Sequence, residues 1–155
     1  MTRRVTGELA RIANEAGRAK GKKRKVKSLL TPNVENEMSI ARIDGLECDE
    51  ILNLAIEFMA QSDSPQKVHG WFEFSAEAVE DADLTIDYDE NPPRHANVID
   101  WPDKDEAQSR ATQILYRACY RKAHFNPPID PTNPTIPDDP CSYVEEIDYR
   151  AIPKN

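Results

Sequence analysis

The sequence predicts a small α+β domain in which two core helices pack on one face of a mainly antiparallel sheet. Two observations favour this architecture. Apolar residues recur at helical spacing in two separate central segments, and short alternating or aromatic runs between them end at Gly, Asn or Pro, as strands do. The sequence has neither an internal repeat nor a βαβ series, so its 155 residues are expected to form one domain with an extension at each end.

The first predicted element is an amphipathic helix in residues 5–20. Its apolar stripe consists of Val5, Leu9, Ile12, Ala13 and Ala16. Two glycines in the segment, Gly7 and Gly17, each lower helix stability by about 1 kcal/mol relative to Ala. We therefore expect the helix to form only when its apolar stripe packs against a partner surface.

The predicted body covers residues 38–125. Its elements, in order, are a strand at 38–43, a helix at 49–61, a strand at 70–74, a short helical turn from Ser75, strands at 84–88 and 96–99, and a helix at 103–123. The last helix is assigned from one continuous stripe that contains Ala107, Ala111, Ile114, Leu115, Ala118 and Cys119. The aromatic residues expected in the core are Trp71, Phe72, Phe74 and Trp101.

The predicted tail, residues 126–155, repeats proline at every third position. The prolines are Pro128, Pro131, Pro134, Pro137 and Pro140. A polyproline II helix has three residues per turn and rises about 3.1 Å per residue, so these prolines would lie along one edge of a rod about 37 Å long. Such a rod loses little conformational entropy when it docks. Two interpretations stay open: the rod is strapped across its own domain, or it docks on another protein.

The predicted arm, residues 1–37, is basic, whereas the rest of the chain is acidic. Residues 1–30 have a net charge of +8, and the remaining 125 residues have a net charge of −16. The candidate nucleic-acid-binding residues are Arg18, Lys20, Lys22, Lys23, Arg24, Lys25 and Lys27. Lys and Arg in an extended segment neutralise phosphates and release counterions, which gives salt-dependent binding without sequence preference. The same charges equally suit an acidic protein surface or the acidic body of this chain.

Several features of the sequence argue against a membrane or exported protein. No apolar run approaches the roughly 20 residues that span a bilayer, and the first residues lack the apolar stretch of a secretory signal. The three cysteines are odd in number and have no paired spacing, so they are expected to be reduced thiols. These features predict a cytoplasmic protein.

The sequence also lacks the motifs of common cofactor and metal sites. Neither a dinucleotide fingerprint nor a phosphate loop is present, so no cofactor is expected. A cluster of carboxylates matches no calcium-loop spacing and is expected to be a solvated acidic face: Asp81, Asp83, Asp87, Asp89 and Glu90. We therefore predict no metal site.

One histidine, His95, is the candidate for catalysis. It lies between Arg94 and the predicted strand, where it would share a face with Asn97 and Ile99. On an open face His95 can carry protons near neutral pH, and Arg94 can hold an anion. In the alternative interpretation, His95 and Asn97 bond neighbouring backbone and fix a turn. No nucleophile or carboxylate accompanies the histidine at a recognisable spacing, which favours the structural role.

Three stretches of the body carry a resemblance to known proteins. They are Met-Ser-Ile from Met38, Gly-Trp from Gly70, and Asn-Pro-Pro-Arg-His-Ala-Asn-Val-Ile-Asp-Trp-Pro from Asn91. The series resembles short uncharacterised bacterial proteins with an Asn-Pro-x-x-His-Ala-x-Ile-x-x-x-Pro core, and the likeness covers roughly residues 38–123. Such proteins look like accessory components encoded in mobile or defence-related gene clusters. The resemblance marks His95 and implies no established activity.

These observations lead to three functional expectations. The first is a non-catalytic accessory subunit of a bacterial, defence-related complex. It would dock on a larger protein through Val5, Leu9, Ile12, Pro128, Pro131, Pro134, Pro137 and Pro140. The alternative is a nucleic-acid-binding module that acts through the basic arm. The third is a small enzyme or toxin that uses His95.

Overall fold

A computed structural model describes residues 8–13, 30, 32, 35–62 and 65–147. In this part of the chain seven strands form one sheet: β1 (Glu8–Ala13), β2 (Met38–Arg42), β3 (Val68–Ser75), β4 (Thr85–Asp87), β5 (His95–Ile99), β6 (Arg121–Ile129) and β7 (Val144–Glu146). The same residues form the helices α1 (Cys48–Ala60), α2 (Ala76–Asp81) and α3 (Asp105–Ala118), and a 3-10 turn (Pro140–Tyr143). The strand order is β4-β5-β2-β1-β3-β6-β7, and every neighbouring pair is antiparallel. The predicted α+β architecture with an antiparallel sheet is therefore confirmed.

The helices cover both faces of the sheet rather than the single face that the sequence predicts. On one face, Leu52 of α1 belongs to a core cluster with Trp71. On the other face, Leu115 of α3 belongs to a second cluster with Phe74. The interior strand β3 is buried at seven of its eight residues, so both of its sides need a covering layer.

The first two helices begin at polar caps. Glu47 and Glu50 form a capping box at α1, in which the backbone N–H of Glu47 donates to Oε1 of Glu50 at 2.9 Å. At α2 the hydroxyl of Ser75 accepts from the backbone N–H of Ala78, as expected for a helical turn that starts at Ser75.

Within the described ranges, none of the helices has the length and apolar character needed to cross a membrane.

The segment predicted as an amphipathic helix contains a strand instead. Residues Glu8–Ala13 form β1 in the middle of the sheet, between β2 and β3. Leu9 and Ile12 are 0% and 4% exposed and belong to the two different core clusters. The helical prediction is wrong here because helical spacing of apolar residues also fits a strand with both faces covered. Residues 5–7 and 14–20 of that prediction lie outside the described residues.

The last predicted helix ends earlier than expected, and a further strand follows it. α3 ends at Ala118, because Cys119 has extended backbone angles of φ −67° and ψ 125°. From Arg121 the chain pairs with β3 as β6, with Ala123 opposite Trp71. The prediction of helix up to residue 123 is therefore wrong, since pairing with the sheet overrides the local helical pattern.

The proline tail is not one continuous polyproline II rod. Pro128 lies in β6, and Pro140 begins the 3-10 turn. Between them the chain turns at Asp130, whose Oδ1 accepts from the backbone N–H of Thr132 at 2.9 Å. The tail then returns along β6 as β7. The sheet thus takes strands from the arm, the body and the tail, and the described part of the tail packs on its own domain.

Two of the three cysteines form a disulfide. Cys48, the first residue of α1, is bonded to Cys141 in the 3-10 turn, and their Cα atoms lie 5.4 Å apart. The expectation of reduced thiols is wrong for this pair, because 93 residues separate the two cysteines and only the fold brings them together. Cys119 is a free buried thiol, and burial raises its pKa to about 12.

Glu73 is a buried carboxylate that links β3 to β6. Its side chain accepts from Nε1 of Trp71 at 2.9 Å, and Nε of Arg121 donates to both carboxylate oxygens at 3.1 and 3.2 Å. Each oxygen of Glu73 therefore has a partner, which a charge inside a core requires.

Candidate functional site

Three polar side chains form a continuous chain of hydrogen bonds on the face of the sheet that α1 covers. Oγ of Ser39 lies 2.7 Å from Nε2 of His95, and Nδ1 of His95 lies 2.8 Å from Oδ1 of Asp89. The order serine, imidazole, carboxylate is that of a nucleophile, its general base and the group that orients the base. The arrangement can therefore activate the serine hydroxyl.

Strand pairing brings Ser39 and His95 together. In the antiparallel pair β2 and β5, Ser39 lies opposite Asn97, and Ala41 lies opposite His95. Because successive side chains alternate between the two faces, Ser39 and His95 share a face and are diagonal neighbours. Ala96, which lies between the two polar residues of β5, packs in the core cluster on the opposite face.

Asp89 reaches His95 from the loop that follows β4. The side-chain amide of Asn97 donates to Oδ2 of Asp89 at 3.3 Å, and the backbone N–H of Asn91 donates to Oδ1 at 3.3 Å. A carboxylate can only accept hydrogen bonds, so Nδ1 of His95 carries the proton. In the neutral imidazole, Nε2 is then left to accept the hydroxyl proton of Ser39.

An ion pair fixes the loop that carries Asp89. Arg42 donates from Nε and Nη2 to the two carboxylate oxygens of Glu90, at 2.6 and 2.8 Å. This hydrogen bonding lowers the pKa of Glu90 to about 2 and raises the pKa of Arg42. Arg94 adds a second anchor, because its Nη1 donates to the backbone carbonyls of Arg42 and Asp44 at 3.0 and 3.1 Å.

A cavity of about 350 Å³ opens beside Ser39 and His95. Five apolar and five polar residues line it: Ile12, Ile40, Phe58, Met59 and Pro92, and Arg11, Ser39, Gln61, Ser62 and His95. The ring centroid of Phe58 lies 5.6 Å from that of His95, whose side chain is 16% exposed. The volume lies within the range of small-molecule pockets, so a small ligand can reach the serine hydroxyl.

Arg11 supports the backbone of Ser39 from the neighbouring strand. Its Nη1 donates to the carbonyl oxygen of Ser39 at 2.9 Å. Burial lowers the pKa of Arg11 to about 10, so its guanidinium remains protonated at neutral pH. Ser39 is thus held through its hydroxyl by His95 and through its carbonyl by Arg11.

The residues that the sequence singled out around His95 have specific roles in this site. His95 is its central member. Asn97 bonds the carboxylate of Asp89 rather than the neighbouring backbone. Arg94 is used as an anchor of the loop, where its guanidinium bonds backbone carbonyls instead of an anion.

The predicted docking and nucleic-acid residues do not join this site. Leu9 and Ile12 are buried because β1 is a central strand, so they do not form a docking surface. Among the tail prolines, Pro131 is buried, Pro134 is exposed, and the half-buried ones are Pro128, Pro137 and Pro140. Outside the described residues lie Val5, Arg18, Lys20, Lys22, Lys23, Arg24, Lys25 and Lys27.

Sequence reasoning missed Ser39 and Asp89 as partners of His95. Ser39 is 56 residues away from His95, and Asp89 is hidden among the other carboxylates of the acidic cluster. One signal was available for Ser39. On its face of β2 it is a lone hydroxyl beside Ala41, in a strand whose apolar residues are all buried.

The site resembles no metal centre. Among residues 8–13, 30, 32, 35–62 and 65–147, no three His, Cys, Asp or Glu side chains converge as metal ligands would.

Comparison of the chain with protein-family models, curated proteins and solved structures found no match. Its function must therefore be inferred from the geometry of Ser39, His95 and Asp89.

Proposed function

We propose that the chain is a small serine hydrolase that cleaves esters or similarly activated acyl compounds. Ser39 is the nucleophile, His95 is the general base, and Asp89 orients the imidazole. The observation that supports this proposal is the unbroken hydrogen-bonded chain, with 2.7 Å between Ser39 and His95 and 2.8 Å between His95 and Asp89. This hydrogen-bonded chain favours an enzyme that uses His95 over the other two functional expectations.

The proposed reaction proceeds through an acyl-enzyme. Oγ of Ser39 attacks the carbonyl carbon of the substrate while Nε2 of His95 takes the hydroxyl proton. The imidazolium, which Asp89 stabilises, gives this proton to the leaving alcohol as the acyl–oxygen bond breaks. A water molecule then attacks the acyl-enzyme while His95 takes its proton. The bond between Oγ of Ser39 and the acyl carbon breaks, His95 returns the proton to Oγ, and the carboxylic acid leaves. Water is the only co-reactant.

The cavity indicates the kind of acyl group that the site accepts. Five of its ten lining residues are apolar and favour a short aliphatic or aromatic acyl group, and about 350 Å³ suits a small molecule. Gln61 directly follows α1, and Gln61 and Ser62 both line the cavity that Ser39 also lines. These two side chains are the donors that we assign to the oxyanion formed during attack.

Covalent labelling tests the proposal directly. A fluorophosphonate reacts with an activated serine hydroxyl, forms a phosphonate ester and releases fluoride. We expect one adduct on the wild-type chain, mapped to Ser39, together with hydrolysis of p-nitrophenyl butyrate. Ser39→Ala and His95→Ala should abolish labelling and lower kcat by at least about 10³-fold.

A serine outside the site provides the matched control. Ser109 is exposed on α3, so Ser109→Ala should keep labelling and hydrolysis at the wild-type level. Circular dichroism would establish that each variant is folded. The proposal is wrong if the probe leaves Ser39 unmodified, or if Ser39→Ala hydrolyses the ester at the wild-type rate.

As a second candidate we propose the accessory subunit of a bacterial complex. The observation that favours it is the exposure of two apolar side chains in the tail, Ile136 at 43% and Tyr143 at 40%. Because β6 and β7 are strands of the sheet, point substitutions test this idea better than removal of the tail. Ile136→Ser combined with Tyr143→Ser should abolish copurification of a stoichiometric protein. Ile114→Ser, on an exposed face of α3, is the control.

Treating half of each sample with nuclease distinguishes nucleic-acid binding, the remaining alternative, from protein binding. Nucleic-acid binding would depend on Lys22, Lys23, Arg24 and Lys25 in the basic arm. Nucleic acid that copurifies with the wild type, and is lost when these four charges are reversed, would support that alternative. A protein that stays bound after nuclease treatment would instead support the accessory subunit.

A further inference from the structure

Asp89 is the member of the candidate site that does not lie on a strand. Ser39 belongs to β2 and His95 to β5, whereas Asp89 lies in the loop of residues 88–94. Its side chain is 34% exposed. A carboxylate on an exposed loop keeps one orientation only if neighbouring contacts hold the loop.

The ion pair between Arg42 and Glu90 provides such a contact. Arg42 lies three residues after Ser39, and Glu90 directly follows Asp89, so the pair joins the strand of the serine to the loop of the carboxylate. Backbone bonds close the same loop. The N–H of Arg42 donates to the carbonyl of Arg94 at 2.7 Å, and the N–H of Glu90 donates to the carbonyl of His95 at 2.9 Å.

The loop backbone is also held in an unfavourable conformation. Glu90 and Arg94 have φ angles of 53° and 73°, in the left-handed region that residues with a side chain rarely adopt. Such conformations persist where the surrounding contacts determine them, and they concentrate at functional sites. In this loop the side chains of these two residues make such contacts, through the bidentate ion pair of Glu90 and the bonds of Arg94 to backbone carbonyls.

We infer that the Arg42–Glu90 ion pair is a positioning device that holds Asp89 against His95 and thereby selects the Nδ1–H tautomer of the imidazole. Glu90 touches no reacting atom and acts only through Asp89. The catalytic consequence rests on the proposed hydrolase function. The tautomer of His95 is a property of the protein itself and can be measured whether or not the chain hydrolyses esters.

The test compares the imidazole ¹⁵N resonances of His95 in the full-length chain and its variants. In the wild type we expect protonated Nδ1 and unprotonated Nε2. Glu90→Gln removes the charge, and Arg42→Lys keeps the charge but loses the two-pronged geometry, so both should give a mixture of tautomers. Both side chains are partly exposed, and circular dichroism would check the fold of each variant.

Two further variants calibrate the measurement. Asp89→Asn removes the carboxylate that accepts from Nδ1 of His95. It therefore sets the largest change in tautomer that the loss of this contact can give. Glu145→Gln removes a different surface carboxylate, 3.5 Å from Lys122, and should behave as the wild type. In hydrolysis of p-nitrophenyl butyrate, Glu90→Gln should lower kcat by on the order of 100-fold and leave KM nearly unchanged.

The outcomes distinguish this inference from the proposed function. Wild-type tautomer and kcat in Glu90→Gln and Arg42→Lys, with both changed in Asp89→Asn, would overturn the positioning role. A wild-type chain without esterase activity would overturn the hydrolase. In that case the ¹⁵N comparison would still test the positioning role of the ion pair, because a mixture of tautomers in its two variants supports the positioning of Asp89.

Discussion

Glu90 makes the stability of the site loop depend on pH. Its hydrogen bonds from Arg42 lower its pKa from the ordinary 4.5 to about 2. The folded protein therefore binds this proton more weakly than the unfolded chain does. The stabilisation by the ion pair is complete above about pH 4.5 and is lost as the pH falls toward about 2.

We predict that the difference in free energy of unfolding between the wild type and Glu90→Gln shrinks as the solution is acidified. Urea unfolding at several values between about pH 6 and about pH 3 measures it. Glu145→Gln, which changes an exposed carboxylate at the other end of the sheet, is the control. A Glu90→Gln difference that stays constant over this range would show that the ion pair does not stabilise the loop.

Glu73 leads to a second prediction, because its carboxylate is buried and both of its oxygens accept hydrogen bonds. Glu73→Ala would leave the indole N–H of Trp71 and the guanidinium of Arg121 without their acceptor. We expect a loss of about 3 kcal/mol in the free energy of unfolding. Lys122→Ala, which breaks an exposed pair on the neighbouring position of β6, should cost less than about 1 kcal/mol. Equal losses in the two variants would contradict the buried role of Glu73.

Gly70 of β3 lies close against the backbone of β6. A Cβ atom placed on Gly70 would lie 1.9 Å from the carbonyl oxygen of Ala123, and the φ angle of 148° is one that side chains disfavour. Gly70→Ala should therefore lower the free energy of unfolding by about 3 kcal/mol or more, because the two strands must separate.

Gly45 provides the matched control for this prediction. It also has a positive φ, of 80°, but a Cβ there would meet no atom within 4 Å. Gly45→Ala should cost only the backbone strain, about 1–2 kcal/mol. Denaturant unfolding of both variants measures the difference. If the two substitutions cost the same, the close approach of β6 to β3 is wrong.

Helix α1 could be predicted from sequence because its apolar residues form one buried stripe. In the helix predicted at 49–61, the apolar residues Ile51, Leu52 and Ala55 recur at helical spacing, and they are the buried residues of α1. β1 was predicted as a helix because both of its faces are covered, which removes the alternation that marks a strand. β6 was missed because it contains Pro127 and Pro128, and prolines normally argue against a strand.

For the molecule as a whole, the candidate site shows a similar limit of sequence reasoning. His95 could be selected by its chemistry alone, because few side chains carry protons near neutral pH. Its partners depend on the sheet. β2 neighbours β5 although β3 and β4 separate them in the chain. The spacing of residues within either strand cannot predict that the two strands pair. Ser39 therefore became a candidate only with the strand order and register.

The disulfide supplies the last prediction, since it connects the tail to α1. Without reductant, we expect iodoacetamide to modify no cysteine in the folded chain. After mild reduction it should modify Cys48 and Cys141, because Cys141 is exposed and Cys48 half-buried. Cys119 should react only after unfolding, because burial raises the pKa of its thiol to about 12 and shields it from the reagent. Peptide mass spectrometry identifies the modified residues.

Reduction should also lower the free energy of unfolding by about 2–4 kcal/mol, since it removes the covalent link between the tail and α1. Cys119→Ala keeps the disulfide and should show the same loss on reduction. Modification of Cys48 and Cys141 without any reductant would contradict the bond. The same labelling in intact cells bears on the expected cytoplasmic location, because a reducing compartment keeps such a pair as free thiols.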